Sequence, residues 1–194
     1  LASLAIKSEM GDQASLGTTL SNIGNVFLYR KETAKALEYY LQGLELQKAT
    51  GDKQGEGTVR TNIASVYLQL GKPSKVLEYC TACLQLAREI GDRRIESYAL
   101  AEIGAACELQ DRMDEAREAY EKSHDIRREI GYRKGVMEAL FCLGNLLFRQ
   151  QQYEEARVWL NESLVVAEEL QAKNQMYEIH ERLATLHEHR NDMP

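Results

Sequence analysis

Hydrophobic side chains follow a helical spacing through most of the chain, and short polar turns interrupt that spacing at regular intervals. Between residues 53 and 70 the apolar side chains recur every three or four positions, at Val59, Ile63, Val66, Tyr67 and Leu70. This spacing places them on one face of a helix. Gly51 suits the left-handed residue that ends a helix, and Asp52 suits the N-cap of the next one. The pattern therefore predicts helix A at about 53–70 and helix B at about 73–90.

The helix pair returns every 40 residues without an insertion. The turn before helix A shows the period most directly, at Gly11-Asp12, Gly51-Asp52, Gly91-Asp92 and, as a variant, Gly131-Tyr132. One helix pair cannot bury its own apolar faces, so we expect stacked units to form the core of a single array over 1–194. The predicted units are the end of a helix B at 1–10, repeats at 11–50, 51–90, 91–130 and 131–170, and helix A of a further repeat at 171–194. Because the pattern begins and ends within a unit, we expect a longer array, with any effector domain outside these residues.

Small residues keep one register inside each predicted helix. In helix A they are Gly24, Ala64, Gly104, Gly144 and Ala184, and in helix B they are Ala36, Ala116 and Ala156, with the slightly larger Val76 in the second repeat. Glycine inside a helix costs about 1 kcal/mol relative to alanine. Its regular appearance therefore predicts a close approach between helix A and helix B of the same repeat.

The order of bulky and small positions in each unit resembles the tetratricopeptide repeat consensus. In the first unit the residues that carry the resemblance are Leu20, Ile23, Gly24, Phe27, Ala36 and Tyr40. The resemblance covers essentially the whole chain and implies an all-α fold, a right-handed α-α superhelix (solenoid) of antiparallel helix pairs. The 40-residue period is longer than the usual repeat of about 34 residues. It is similar to the extended repeats of Leu-Gly-Asn-repeat proteins, kinesin light chains and bacterial signalling proteins.

The resemblance also implies that the A helices line a concave groove in which a protein or peptide binds. The positions that it assigns to partner binding are Asn22, Asn25, Asn62, Ser65, Tyr98, Glu102, Glu138, Phe141, Asn145, Phe148 and Arg182. Asparagine both donates and accepts hydrogen bonds, which suits the amides of a peptide. Phe141 and Phe148 lie two helical turns apart and are candidate apolar anchors. Acidic groups in the last two units favour a partner segment that carries basic and apolar residues.

Two alternatives stay open for these residues. Asparagine in helix A can instead bond to the neighbouring helix and stabilise the stack. The two phenylalanines can instead pack against a missing next unit or a capping helix. The sequence alone does not choose between these structural roles and partner binding.

Charge and composition exclude several function classes. The net charge is −6 and the pI is near 5.4, which disfavours nucleic acid and anionic membrane surfaces as partners. No stretch approaches the roughly 20 consecutive apolar residues of a membrane helix, and no secretory leader is visible. We therefore expect a cytoplasmic protein.

The residues that suggest catalysis or metal binding are better explained by the repeat register. Cys80 and Cys83 fall at core positions, and a second metal-ligand pair is missing from their surroundings in the sequence. His180 and His187 are also predicted to lie in the core. We therefore expect no catalytic residue, no cofactor and no metal site, and the chain is not expected to be an enzyme.

Three functional hypotheses follow from the sequence. The first is a scaffold that binds a protein or peptide along the A helices. The second is a sensory or regulatory segment of a larger bacterial signalling enzyme, such as a nucleotide cyclase, a diguanylate cyclase or a histidine kinase. The third is self-association through the open ends of the array, and it rests partly on Trp159.

Overall fold

The computed structural model describes residues 13–191, and the helix B end predicted at 1–10 lies outside them. Within that range the chain forms helices and no strand. The helices are α1 (Gln13–Tyr29), α2 (Thr33–Thr50), α3 (Lys53–Gln69), α4 (Pro73–Ile90), α5 (Arg93–Leu109), α6 (Met113–Glu129), α7 (Arg133–Arg149), α8 (Tyr153–Glu169) and α9 (Lys173–Asn191). Consecutive helices form antiparallel pairs, which confirms the predicted all-α fold class. The helices predicted at 53–70 and 73–90 agree with α3 and α4 to within one residue.

Every described turn contains one residue in the left-handed region, and these residues follow one another at intervals of 20. They are Lys31, Gly51, Gly71, Gly91, Asp111, Gly131, Gln151 and Gln171. This conformation reverses the chain and lets backbone N–H groups bond to the last carbonyls of the helix. Asp52 then caps α3, because its carboxylate accepts a hydrogen bond of 2.9 Å from the Gly55 N–H. Local sequence thus sets the end of α2 and the start of α3.

The chain divides into two compact units, one up to Ala106 and the other from Cys107 onwards. Unit 1 contains α1 to α4 and most of α5. Its core has two clusters, which centre on Tyr40 and Ile63 and on Cys80 and Ala99. Unit 2 contains the end of α5 and α6 to α9.

Unit 2 contains an apolar cluster formed by α7, α8 and α9. Its buried members are Val136, Met137, Leu140, Leu147, Ala156, Leu160, Val166, Ala167, Ile179 and Leu186. The partly buried side chains of Phe141, Phe148 and Trp159 pack against this cluster.

The predicted close approach between the helices of a pair is confirmed in both units. A Cβ atom on Gly24 would lie 2.6 Å from the ring of Tyr40, and one on Gly144 would lie 2.6 Å from Leu160 Cγ. Real Cβ contacts are not this short, so each glycine makes room for the bulky side chain of its helix partner. In the second repeat the helix A position holds Ala64, which is larger than glycine, and the helix B position holds Cys80, which is smaller than Tyr40 or Leu160.

One core prediction is confirmed and another is wrong. Cys80 and Cys83 are fully buried, as the register predicts. His180 and His187 are exposed, and the buried residues beside them are Ile179 and Leu186. In the fourth repeat the corresponding residues, Leu140 and Leu147, are buried in the core of unit 2. Within the described residues no helix follows α9, so this face of α9 stays in contact with solvent.

Candidate partner-binding surface

The A helices of unit 1 share a polar face with two adjoining hollows. One hollow, of about 310 Å³, lies between α1 and α3 and is lined by Thr18, Ser21, Asn22, Asn25, Gln47, Asp52, Gln54, Gly55, Thr58, Val59 and Asn62. The other, of about 550 Å³, lies between α3 and α5 and is lined by Gln54, Thr58, Thr61, Asn62, Ser65, Asp92, Arg94, Ile95, Tyr98 and Glu102. Gln54, Thr58 and Asn62 border both, so the hollows form one continuous surface. We call it the unit 1 face.

Six of the residues predicted from sequence lie on the unit 1 face. They are Asn22, Asn25, Asn62, Ser65, Tyr98 and Glu102. Most of the lining groups are hydroxyls and amides. Among the lining residues Asp52, Asp92 and Glu102 are acidic and Arg94 is basic, so their formal charge is −3 + 1 = −2. The face is therefore polar and mildly acidic.

Asn25 has a structural role on this face as well as an exposed position. Its Oδ1 accepts a hydrogen bond of 2.6 Å from the Tyr40 hydroxyl of the paired helix α2. Tyr40 is fully buried, and burial raises the pKa of its hydroxyl to about 12. This bond matches the alternative in which helix A asparagine joins the neighbouring helix. The two N–H donors of the Asn25 amide take no part in it.

The other five predicted residues lie in unit 2, where their side chains contact one another and nearby charges. The Phe148 ring packs against Tyr153 at a centroid distance of 5.6 Å, and the Arg182 guanidinium lies 5.3 Å from the Phe148 centroid. Phe148 and Arg182 are therefore joined by a cation–π contact. Glu138 is held between Arg127, at 3.7 Å, and Lys134, at 3.8 Å.

Phe141 and Asn145 complete this second group. Phe141 borders a hollow of about 350 Å³ together with Glu178, Glu181, Arg182 and Thr185 of α9. Asn145 is half-buried, and its Oδ1 is fully buried without a hydrogen-bond partner. The phenylalanines thus pack partly against α8 and α9. We call this surface of α7 and α9 the unit 2 face.

Sequence reasoning missed Gln47, which lies on helix B rather than helix A. Its side chain is 1% exposed, and it reaches from α2 between Gly17 of α1 and Gly55 of α3 to line the smaller hollow. Its Oε1 is buried and has no hydrogen-bond partner.

A signal for this residue does exist in the sequence. At the positions of residues 47 and 55, one side chain is long where the other is small, and the two change places from one repeat to the next. The pairs are Gln47/Gly55, Ala87/Ile95, Arg127/Gly135 and Ala167/Gln175. In unit 2 the buried Arg127 likewise crosses a glycine, and its Nη1 donates a hydrogen bond of 2.9 Å to the Gly135 carbonyl. A long side chain at the first position therefore needs glycine at the second.

The cysteines have the properties of core thiols. Burial raises the pKa of Cys83 to about 12 and raises the pKa of Cys80 further. Such thiols are protonated and unreactive at neutral pH. In the described part of the chain, no three His, Cys, Asp or Glu side chains are grouped so as to hold a metal ion. None of the helices that the structure describes combines the length and apolar character of a membrane span.

Solved structures with the same fold have low sequence identity to this chain. RapI in its apo form is 15% identical with a TM-score of 0.77, and the match covers 87% of this chain and 60% of RapI. A Rap protein in complex with Competence and Sporulation Factor is 16% identical with a TM-score of 0.78, and the match covers 89% of this chain and 54% of the Rap chain.

A third similar structure is a signal transduction ATPase with numerous domains, from Pyrococcus horikoshii, which has a tetratricopeptide repeat sensor. It is 19% identical with a TM-score of 0.75, and the match covers 97% of this chain and 29% of the ATPase. This chain therefore spans less than two thirds of each of these three proteins. Identities this low show the fold alone.

The sequence itself matches a family profile over most of its length. No curated protein matches the sequence. The profile described as Tetratricopeptide repeat matches residues 15–89 and 55–129, and a second profile with the same description matches residues 137–170. Together with the helix pairs and the repeated left-handed turns, these matches establish that the chain belongs to the tetratricopeptide repeat family.

Proposed function

We propose that this chain is a protein-interaction module that binds a peptide or protein segment on the unit 1 face. The observation that carries the proposal is the continuous polar surface across α1, α3 and α5, where hydroxyls and amides of three successive A helices surround two joined hollows. Groups that both donate and accept suit the main chain of an extended segment. A surface assembled from several repeats also contacts several residues of one ligand.

The charge of the unit 1 face favours a segment with basic residues. The lining residues have a formal charge of −2, and Arg94 is their single basic member. Complementary charge mainly raises the association rate and suppresses acidic competitors. Phe141, which the sequence predicts as an apolar anchor, borders the separate hollow of the unit 2 face.

Similar proteins support a role in interaction or regulation. The Rap protein was solved in complex with Competence and Sporulation Factor, and the archaeal ATPase has its repeats in a sensor. In each case the matched part is one portion of a longer chain.

Selection of displayed random peptides on the immobilised chain tests the proposal. Asn62 borders both hollows, and Gln85 is an exposed residue of helix B in α4, so Asn62→Ala and Gln85→Ala are matched variants. We expect selected peptides to bind the Asn62→Ala variant about tenfold more weakly, the equivalent of about 1.4 kcal/mol. Binding to the Gln85→Ala variant should stay within twofold of wild type. Failure to enrich any peptide, or equal loss in both variants, would contradict the proposal.

A second candidate function is the sensory or regulatory segment of a larger signalling protein. It is favoured by the archaeal ATPase, whose sensor fold matches 97% of this chain while the match covers only 29% of the ATPase. The sequence of the full-length gene tests it directly. A cyclase, kinase or ATPase domain in the same reading frame supports this candidate, and an open reading frame that encodes repeats alone contradicts it.

A further inference from the structure

The hollow of the unit 2 face is aromatic on one side and acidic on the other. Phe141 of α7 is partly buried against the unit 2 core, and it borders this hollow of about 350 Å³. The other lining residues belong to α9, and they include the two carboxylates of Glu178 and Glu181. The hollow therefore combines an aromatic ring with two negative charges.

The two carboxylates are available to a ligand. Glu178 and Glu181 are exposed, and neither forms an ion pair with a side chain that the structure describes. The Arg182 guanidinium lies 5.3 Å from the centroid of Phe148 instead of pairing with them. The Thr185 hydroxyl donates to the Glu181 carbonyl at 3.0 Å, so its oxygen can only accept from a ligand. Apart from Arg182, the polar lining groups thus offer acceptors.

The repeat itself does not require carboxylates or a ring at these positions. In α1 and α3 hydroxyl residues replace the two glutamates, and the position of Phe141 holds a small residue in α1, α3 and α5. These residues are Thr18, Thr58, Ser21, Thr61 and Ala101. The hydroxyls that replace the glutamates in α3 bond to carbonyls of their own helix. Among the described A helices, the ring opposite two acids is specific to α7 and α9.

The same helix pair already holds one arginine against one phenylalanine. Arg182 of α9 contacts the ring of Phe148, which lies two helical turns beyond Phe141 on α7. Among the described side chains, none places a cation over the ring of Phe141. A guanidinium is planar, stacks on aromatic rings and pairs with a carboxylate through two parallel hydrogen bonds. The chemistry of the hollow therefore matches a second arginine, supplied from outside the chain.

We infer that the hollow of the unit 2 face is a subsite for an arginine side chain of a partner protein. The guanidinium stacks on Phe141 and pairs with the carboxylates of Glu178 and Glu181. Its five donors and lack of an acceptor match the acceptors that line the hollow. The subsite shares no residue with the unit 1 face, so the inference goes beyond the proposed function. It also gives Phe141 the role of an aromatic surface for a cation rather than that of an apolar anchor.

A nuclear magnetic resonance titration with short capped peptides tests the subsite. The probe is acetyl-Ala-Arg-Ala-amide, and two comparison peptides replace arginine by citrulline, which is planar but uncharged, or by lysine. We expect the arginine peptide to cause saturable shifts of the backbone amides at 178–185, with a dissociation constant on the order of 1 mM. The citrulline peptide should bind about tenfold more weakly and the lysine peptide about threefold more weakly.

Variants with matched charge separate the subsite from the net charge of the chain. Glu178→Gln combined with Glu181→Gln should weaken binding of the arginine peptide about tenfold. Glu162→Gln combined with Glu168→Gln removes the same charge from exposed positions of α8, and binding should stay within about twofold of wild type. Phe141→Leu keeps an apolar side chain but removes the ring, and should weaken binding about fivefold. Circular dichroism checks that each variant keeps its helices.

The outcomes also separate this subsite from the proposed function. Equal weakening by the two double variants would show a response to net charge alone and overturn the subsite. Citrulline or lysine peptides that bind as tightly as the arginine peptide overturn the assignment to arginine, and so does the absence of saturable shifts at 178–185. Asn62→Ala tests the unit 1 face and should leave those shifts unchanged, so either proposal can fail without the other.

Discussion

The unit 1 face and the unit 2 face have the same repeat positions but are built in different ways. On the unit 1 face the amides of Asn22, Asn25 and Asn62 line a hollow that has no aromatic side chain among its lining residues. On the unit 2 face Phe141 borders the hollow, and Arg182 and Tyr153 pack against the ring of Phe148. The repeat register fixes the side of the helix on which a residue lies. Its neighbours decide whether its side chain is available to a partner.

Removing the Phe148 ring should affect stability more than any other change considered for these faces. Phe148→Ala deletes the contacts with Tyr153 and Arg182 and leaves a gap beside the unit 2 core. We expect a loss of about 3 kcal/mol in the free energy of unfolding. Trp159 is the single tryptophan and lies in unit 2, so its fluorescence in a urea titration reports this unit. Asn22→Ala, at an exposed position, is the control and should change stability by less than about 0.5 kcal/mol. A loss that small for Phe148→Ala would show that the ring is a surface group.

Alkaline pH should weaken unit 1 through Tyr40. Burial raises the pKa of the folded-state hydroxyl to about 12, while an unfolded tyrosine has a pKa of about 10. The unfolded chain therefore loses this proton first as pH rises, so the contribution of Tyr40 is complete below pH 10 and disappears by about pH 12. Urea midpoints measured by circular dichroism should fall across that window.

The Tyr40→Phe variant isolates this contribution from that of other groups. At pH 8 it should lose about 1 kcal/mol, because Asn25 Oδ1 no longer receives its hydrogen bond. Its urea midpoint should then fall less than that of the wild type between pH 10 and 12. Identical pH dependence for the two proteins would contradict the assignment.

Replacing Gln47 by methionine should stabilise unit 1. The variant keeps the length of the side chain and eliminates an acceptor that has no partner. We expect a gain of about 1 kcal/mol, measured as a higher urea midpoint. Gln42→Met, on an exposed position of the same helix, is the matched control and should have almost no effect. A clear loss of stability in Gln47→Met would mean that the amide has a structural partner in the folded chain.

The smallest expected effect concerns the turns, which are alike in both units. Lys31 and Gly71 occupy the same left-handed turn position, with φ of 61° and 63°. A residue with a Cβ is strained there, and the greater backbone entropy of unfolded glycine offsets part of that strain. Lys31→Gly should raise the free energy of unfolding by roughly 0.5–1 kcal/mol, and Gly71→Lys should lower it by a similar amount. The melting temperatures of the two variants, compared with that of the wild type, show the direction of each change in stability. Shifts of both melting temperatures in the same direction would contradict the explanation.

The helices could be predicted from the sequence because their causes are local. The apolar spacing, the Asp52 cap and the Gly51 turn lie within a few residues of the helix ends that they set. The contact of Gly24 with Tyr40 could also be predicted, since a glycine that recurs in one register of a helix needs a packing reason. Each of these features recurs in other repeats, so a sequence pattern that would be weak in a single repeat can be recognised.

The candidate site was harder to predict because its details depend on contacts between helices. Gln47 was missed because a helix B residue is expected to face away from the groove, whereas two glycines let its amide reach through. The Phe148 contact with Arg182 depends on side-chain conformations of residues on separate helices. His180 and His187 were misplaced because the register assumes a following helix, which the described residues do not include.

The side chains at the positions of residues 47 and 55 alternate with a period of two repeats, whereas the backbone has a period of one repeat. Gln47/Gly55 and Arg127/Gly135 stand 80 residues apart, with the apolar Ala87/Ile95 pair between them. Tyr40 and Tyr120 alternate with Cys80 and Leu160 in the same way. Such alternation is what duplication of a two-repeat block would leave behind. Substitutions at these two positions can therefore open or fill a binding position without a change in the backbone. A new binding specificity can then arise in one repeat at a time.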